Sequence, residues 1–103
     1  WVPNLPTVVA KMLPRFSDLP VRSLEGLDKG PIRLDKKLKY ELINSKNIEF
    51  VSLIDYFCNQ EGCLIYLAPY SESNLTSWDQ THLTPVASHD LARNLLIPKI
   101  IEN

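Results

Sequence analysis

No run of about 18 or more apolar residues occurs in this sequence, so nothing in it reads as a membrane-spanning helix. It also lacks a basic leader followed by an apolar stretch, so the first residues do not read as a signal peptide. Charge of one sign is not in excess. With a formal net charge of −1, the chain has no global basic field to attract nucleic acid or an anionic membrane. Cysteine is limited to two residues, too few for a four-cysteine zinc site. Internal repeats and low-complexity tracts are missing as well.

What is present suits a folded chain. Hydrophobic residues make up 45% and charged residues 22%, which argues against disorder. A chain of 103 residues is one small domain or a piece of a larger one, with a core that buries roughly two-thirds of the unfolded surface. It starts at Trp1 rather than Met and is read as a piece of something longer, residues 1–103 forming one C-terminal fragment. The two cysteines, Cys58 and Cys63, bracket Asn-Gln-Glu-Gly, a spacing that suits a tight loop closed by a disulfide. Such a closure would contribute about 2 kcal/mol through chain entropy and would imply an oxidising compartment. Two free thiols, or half of a metal site, are the alternatives.

Along the chain, residues 1–31 read as an irregular start. A short helix is expected over 7–13, with Thr7 as cap and Pro14 as stop, then a long connection punctuated by Pro20, Gly26, Gly30 and Pro31. Leu34, Leu38 and Leu42 recur at i, i+4 and i+8, which predicts an amphipathic helix over 34–43. Its Lys36, Lys37 and Lys39 read as a solvated face. The nearly continuous apolar run at 48–55 predicts a strand buried on both faces, as in a parallel sheet. Helix, short connection and buried strand together resemble the αβ half of a βαβ unit. Residues 63–67 suggest a short accessory strand. Thr84 as cap and Pro85 at the first position announce a last helix, with an apolar stripe through Ala87, Leu91 and Leu95 and an end at Pro98.

The chemistry sits just before that helix, in Trp78-Asp79-Gln80-Thr81-His82-Leu83-Thr84-Pro85. The spacing Asp-x-x-His lets the carboxylate fold back onto the imidazole. An Asp that accepts the Nδ1 proton fixes the tautomer and stabilises the imidazolium formed in acyl transfer, leaving Nε2 to take a proton from a hydroxyl nucleophile. Alone this spacing is weak, since a capped turn with a surface histidine has the same letters. Trp78 is a candidate wall for an acyl or sugar pocket. A metal site from Asp79, His82, His89 and Asp90 is disfavoured, because His82 precedes the helix that carries His89.

The block Asp79-Gln-Thr-His82-Leu-Thr-Pro-x-Ala-Ser resembles the C-terminal block of SGNH hydrolases, above all the SGNH domains attached to membrane-bound acyltransferase-3 proteins. The cysteine pair Cys58 and Cys63, an apolar segment before it and the opening Val2-Pro3-Asn4-Leu5-Pro6 are similar to features of those domains. The match covers residues 1–5 and 48–97. It implies an α/β fold, the C-terminal portion of a flavodoxin-like three-layer domain with an incomplete parallel sheet and flanking helices. It makes His82 the general base and Asp79 its orienting carboxylate. The family's nucleophilic serine lies in an upstream Gly-Asp-Ser motif that this sequence lacks. Ser71, Ser73, Ser77 and Ser88 lack the strand–turn–helix setting of a nucleophile, so these residues alone are expected to be inactive.

The activity implied is O-acyl transfer, with acetyl as the group and cell-surface glycan hydroxyls as acceptors; ester hydrolysis is the same chemistry with water as acceptor. The implied partners are the upstream SGNH region with its serine, a membrane acyltransferase domain, an acyl donor and a glycan acceptor. No nucleic acid and no cofactor enters, and the location is extracytoplasmic, tethered to a membrane protein. Two competitors belong to other classes: a non-catalytic interaction domain, and a thiol-redox or metal module on Cys58 and Cys63.

Overall fold

A computed structural model describes residues 1–15, 18–68 and 74–102. The first helix, α1, spans Leu5–Met12. It starts two residues earlier than the sequence suggests because Asn4, not Thr7, caps it, its side chain accepting from the Thr7 N–H at 2.9 Å. Leu5, Val8, Val9 and Met12 form its buried stripe, at the i, i+3, i+4, i+7 spacing of one helix face. They pack with Ile65 and Tyr66 into one core cluster, flanked by Trp1, Leu19 and Leu75.

Three short strands follow in space: β1 at Arg22–Ser23, β2 at Cys58–Asn59 and β3 at Gly62–Leu64. They form an antiparallel sheet in the order β1-β3-β2. β2 and β3 make a hairpin in which Cys58 faces Cys63 and Asn59 faces Gly62. Gly62 has φ of +114°, and a Cβ there would lie 2.2 Å from the Ser23 carbonyl, so β1 can pass only over a glycine. Arg22 ties the hairpin shut, its guanidinium donating to the carbonyls of Phe57 (2.9 Å) and Gly62 (3.1 Å). The accessory strand expected over 63–67 is therefore β3. Beyond it, Ile65 N–H still donates to the Val21 carbonyl at 2.7 Å, and Tyr66 pairs with Leu75.

The strand expected over 48–55 is not formed. Residues 48–52 have no regular structure, and α3 takes Leu53–Phe57. The reason is local: the Ser52 hydroxyl accepts from the Asp55 N–H at 2.9 Å and caps a helix. A strand buried on both faces also needs neighbours to pair with, and among the described residues none lies alongside; Ile48 and Leu53 are exposed. Likewise the described residues carry this small antiparallel sheet and no parallel pair.

The second helix, α2, runs Lys29–Leu42, a turn longer than its leucine spacing suggests. Asp28 caps it, accepting from the Gly30 N–H at 2.9 Å. Pro31 is tolerated in the first turn, where a missing N–H costs nothing. Its Leu34 is exposed, and its one buried residue is Asp35.

The last helix begins as read, at α4 (Pro85–Leu91) with Thr84 as cap and Pro85 at its start. It does not stop at Pro98. Residues Ala92–Leu96 form a wider π-helical segment, in which the Ile97 N–H reaches the Ala92 carbonyl, and α5 continues over Ile97–Glu102. The wider turn accommodates a proline that cannot donate. Ala87 and Leu91 join Phe57 and Leu67 in a second core cluster, and Tyr56 anchors α4 by donating to Asp90 Oδ2 at 2.5 Å.

Candidate active site

Residues 77–83 form a closed loop feeding α4. Ser77 and Leu83 pair across its base, and the Thr84 N–H donates to the Thr76 carbonyl at 3.0 Å. The opening of the chain braces the tip: the Trp1 nitrogen donates to the Gln80 carbonyl at 2.8 Å and the Leu5 N–H to the Asp79 carbonyl at 3.3 Å. The loop is thus held from the helix side and from α1.

Within it the two residues singled out by spacing meet. His82 Nδ1 lies 2.6 Å from Asp79 Oδ2. The other carboxylate oxygen, Oδ1, accepts from the backbone N–H groups of Thr81 (2.8 Å) and His82 (2.6 Å). The carboxylate is therefore fixed on one side by the backbone and faces the imidazole with the other. These contacts hold the Asp79 carboxyl below its ordinary range: the His82 backbone N–H contributes most, desolvation opposes it, and the His82 ring and the Thr81 N–H add to it. An ionised Asp79 accepting from Nδ1–H leaves Nε2 as the acceptor position of a neutral imidazole. The His82 side chain is 75% exposed and Asp79 41%, so Nε2 is open to a group arriving from outside.

Sequence reasoning did not find the part played by Ser77. It is buried, and its hydroxyl is placed to donate to the His82 carbonyl (2.7 Å) or the Asp79 carbonyl (3.0 Å) while lying 3.3 Å from the Asp79 N–H. That makes it a brace under the pair rather than a nucleophile. The signal was in the letters: a serine two residues before an Asp is a common side-chain-to-backbone turn. Ser88 sits exposed on α4, and Ser71 and Ser73 lie outside the described residues.

Cys58 and Cys63 are joined in a disulfide, with Cα atoms 3.9 Å apart. Neither is available as a thiol or a metal ligand. Among the described residues no three His, Cys, Asp or Glu side chains gather as a metal site would need. His89 and Asp90 are on α4, and Asp90 is occupied by Tyr56 and Asn94. Trp78, within the loop, is 56% exposed. A cavity of about 270 Å³ opens against the loop, walled by Trp1, Ile32, Leu53, Phe57 and Leu83 and reaching Gln80 and Thr81. His82 is not on its wall.

Comparison with known protein families, curated proteins and solved structures finds no match to this chain.

Proposed function

We propose that Asp79 and His82 are the acid–base half of a Ser-His-Asp acyl-transfer site whose serine comes from outside these residues. In this reading the chain is the C-terminal part of a flavodoxin-like SGNH domain, and the region upstream supplies both the parallel sheet and the nucleophile. The observation that carries it is the 2.6 Å approach of His82 Nδ1 to an Asp79 carboxylate whose other oxygen is fixed by two backbone N–H groups. That is the orientation an acyl-transfer histidine needs.

His82 Nε2 takes the serine proton as the hydroxyl oxygen attacks the acyl carbonyl. The imidazolium, stabilised by Asp79, then returns that proton to the leaving oxygen of the donor. An acceptor hydroxyl next attacks the acyl-serine by the same route, with His82 again taking and returning the proton. With a glycan hydroxyl as acceptor the product is an O-acyl sugar, and with water it is a free acid. Placement outside the cytoplasm, tethered to a membrane acyltransferase domain, accords with the disulfide. No helix among the described residues is long and apolar enough to cross a membrane itself.

One observation favours a second reading. Asp79 Oδ1 accepting from Thr81 and His82 is also what a plain side-chain-capped turn does, and a non-catalytic interaction domain needs nothing more. Labelling of the full-length native protein with a serine-reactive fluorophosphonate separates the two. Wild type is expected to label and His82→Ala to lose labelling. Equal labelling of both proteins removes His82 as base. No labelling of either, with both folded by circular dichroism, selects the interaction domain.

A further inference from the structure

The outward face of α2 is where charge and exposed apolar surface coincide. Lys29, Arg33, Lys36 and Tyr40 fall at i, i+4, i+7 and i+11, with Lys37 and Ile43 flanking them, so they share one side of the helix. All six are exposed. The opposite side holds Asp35, buried, with Ile32, Leu38 and Leu42 half-buried. Helix α2 carries five cationic side chains against two acidic ones, although the whole chain is nearly neutral. Over a screening length of about 8 Å this local excess is what a partner meets.

Two further features set this face apart from an ordinary solvated one. Lys39, on the inner flank, is paired with Asp55, whereas no ion pair among the described residues engages Lys29, Arg33, Lys36 or Lys37. Beyond the cap residue Asp28, the first turn of α2 has no acidic side chain, so within the helix Lys29 and Arg33 meet no anionic neighbour before Asp35, which is buried on the other side. Beside the cations, Tyr40 is 82% exposed and Ile43 73%, with Ile48 exposed just beyond. A polyanion in water would meet the cations but gain nothing from two isoleucines. A lipid surface uses both.

We propose that this face docks the protein onto an anionic phospholipid surface, the four cations at the phosphate level and Tyr40, Ile43 and Ile48 at the edge of the acyl region. A cationic helix face with an aromatic and aliphatic fringe is the composition of an interfacial helix. This proposal does not depend on the Asp79–His82 reading.

The test is sedimentation of the full chain with phosphatidylcholine vesicles, with and without phosphatidylserine, at low and at physiological salt. The chain is expected to bind only the anionic vesicles, more weakly as salt rises. Lys36→Gln with Lys37→Gln should weaken binding roughly tenfold or more, and Ile43→Ser several-fold. Lys11→Gln, an exposed cation on α1, should change it less than twofold. All of these positions are exposed, so the variants should fold, which circular dichroism verifies. Equal binding to neutral vesicles, full binding by the double variant, or preference for soluble heparin or DNA over anionic vesicles would each overturn the proposal.

Discussion

The Ser77 hydroxyl lies 2.7 Å from the carbonyl oxygen of His82, five residues on, beneath the loop that carries Asp79. It joins the two ends of the loop, because it also meets the Asp79 backbone. Ser77→Ala removes the donor to the His82 carbonyl, while the Asp79 carbonyl keeps the Leu5 N–H, so a loss of about 1 kcal/mol in stability is expected from denaturant unfolding. Loosening should also reach the imidazole. In the histidine nitrogen NMR signals, His82 Nδ1 should move toward the value of a ring without a carboxylate partner. A stable variant with an unchanged Nδ1 signal would mean that Ser77 does not position the pair.

The chemical reading of the pair came from the surrounding block, whereas its contact was legible from spacing, because two residues between Asp79 and His82 put carboxylate and imidazole within reach of one turn. So was the start of α4, since Thr84 and Pro85 are short-range signals that tertiary structure did not overrule. The 48–55 segment was not. Its apolar letters are compatible with a buried strand or a short helix, and the Ser52 cap with missing strand neighbours decided for α3. Pro98 misled for a different reason: a π-helical segment is set by backbone register and leaves no mark in the composition. The brace from Trp1 and Leu5 onto Gln80 and Asp79 joins residues more than seventy positions apart, which no local pattern reports.

Acid should act on the loop through Asp79. Its folded carboxyl is held below the ordinary value, chiefly by the His82 backbone N–H, so its stabilising share is complete above the unfolded value near about 3.9. That share is lost as pH falls through the lowered folded value. Asp79→Asn removes it. The gap in denaturation midpoint between wild type and Asp79→Asn is therefore expected to be widest near neutrality and to close below about pH 4. A gap independent of pH would assign the contribution to packing rather than to charge.

The hairpin offers two separable tests. Replacing Cys58 and Cys63 by Ser opens a six-residue ring and should cost about 2 kcal/mol by chain entropy. Gly62→Ala should cost more, roughly 2–4 kcal/mol, because its Cβ meets the Ser23 backbone at 2.2 Å and φ is +114°. Denaturant unfolding of both variants would rank them, and the reverse order would mean that β1 moves aside easily.

Asp35 is the buried residue of α2, and its carboxylate oxygens each lie 2.8 Å from the Ser52 hydroxyl. That hydroxyl in turn caps α3, so a single side chain links the two helices. Ser52→Ala takes away the cap, worth about 1 kcal/mol, and also leaves a buried carboxylate without its donor, which adds about 1–3 kcal/mol. Asp35→Ala removes the carboxylate but leaves the cap in place, so it should cost less. The double variant escapes the stranded charge, and its loss should fall below the sum of the two single losses by about 1 kcal/mol or more. Strict additivity in a double-mutant cycle would instead show that water already satisfies Asp35. The link would then be geometric only, and α2 would be tied to α3 by the Lys39–Asp55 pair instead.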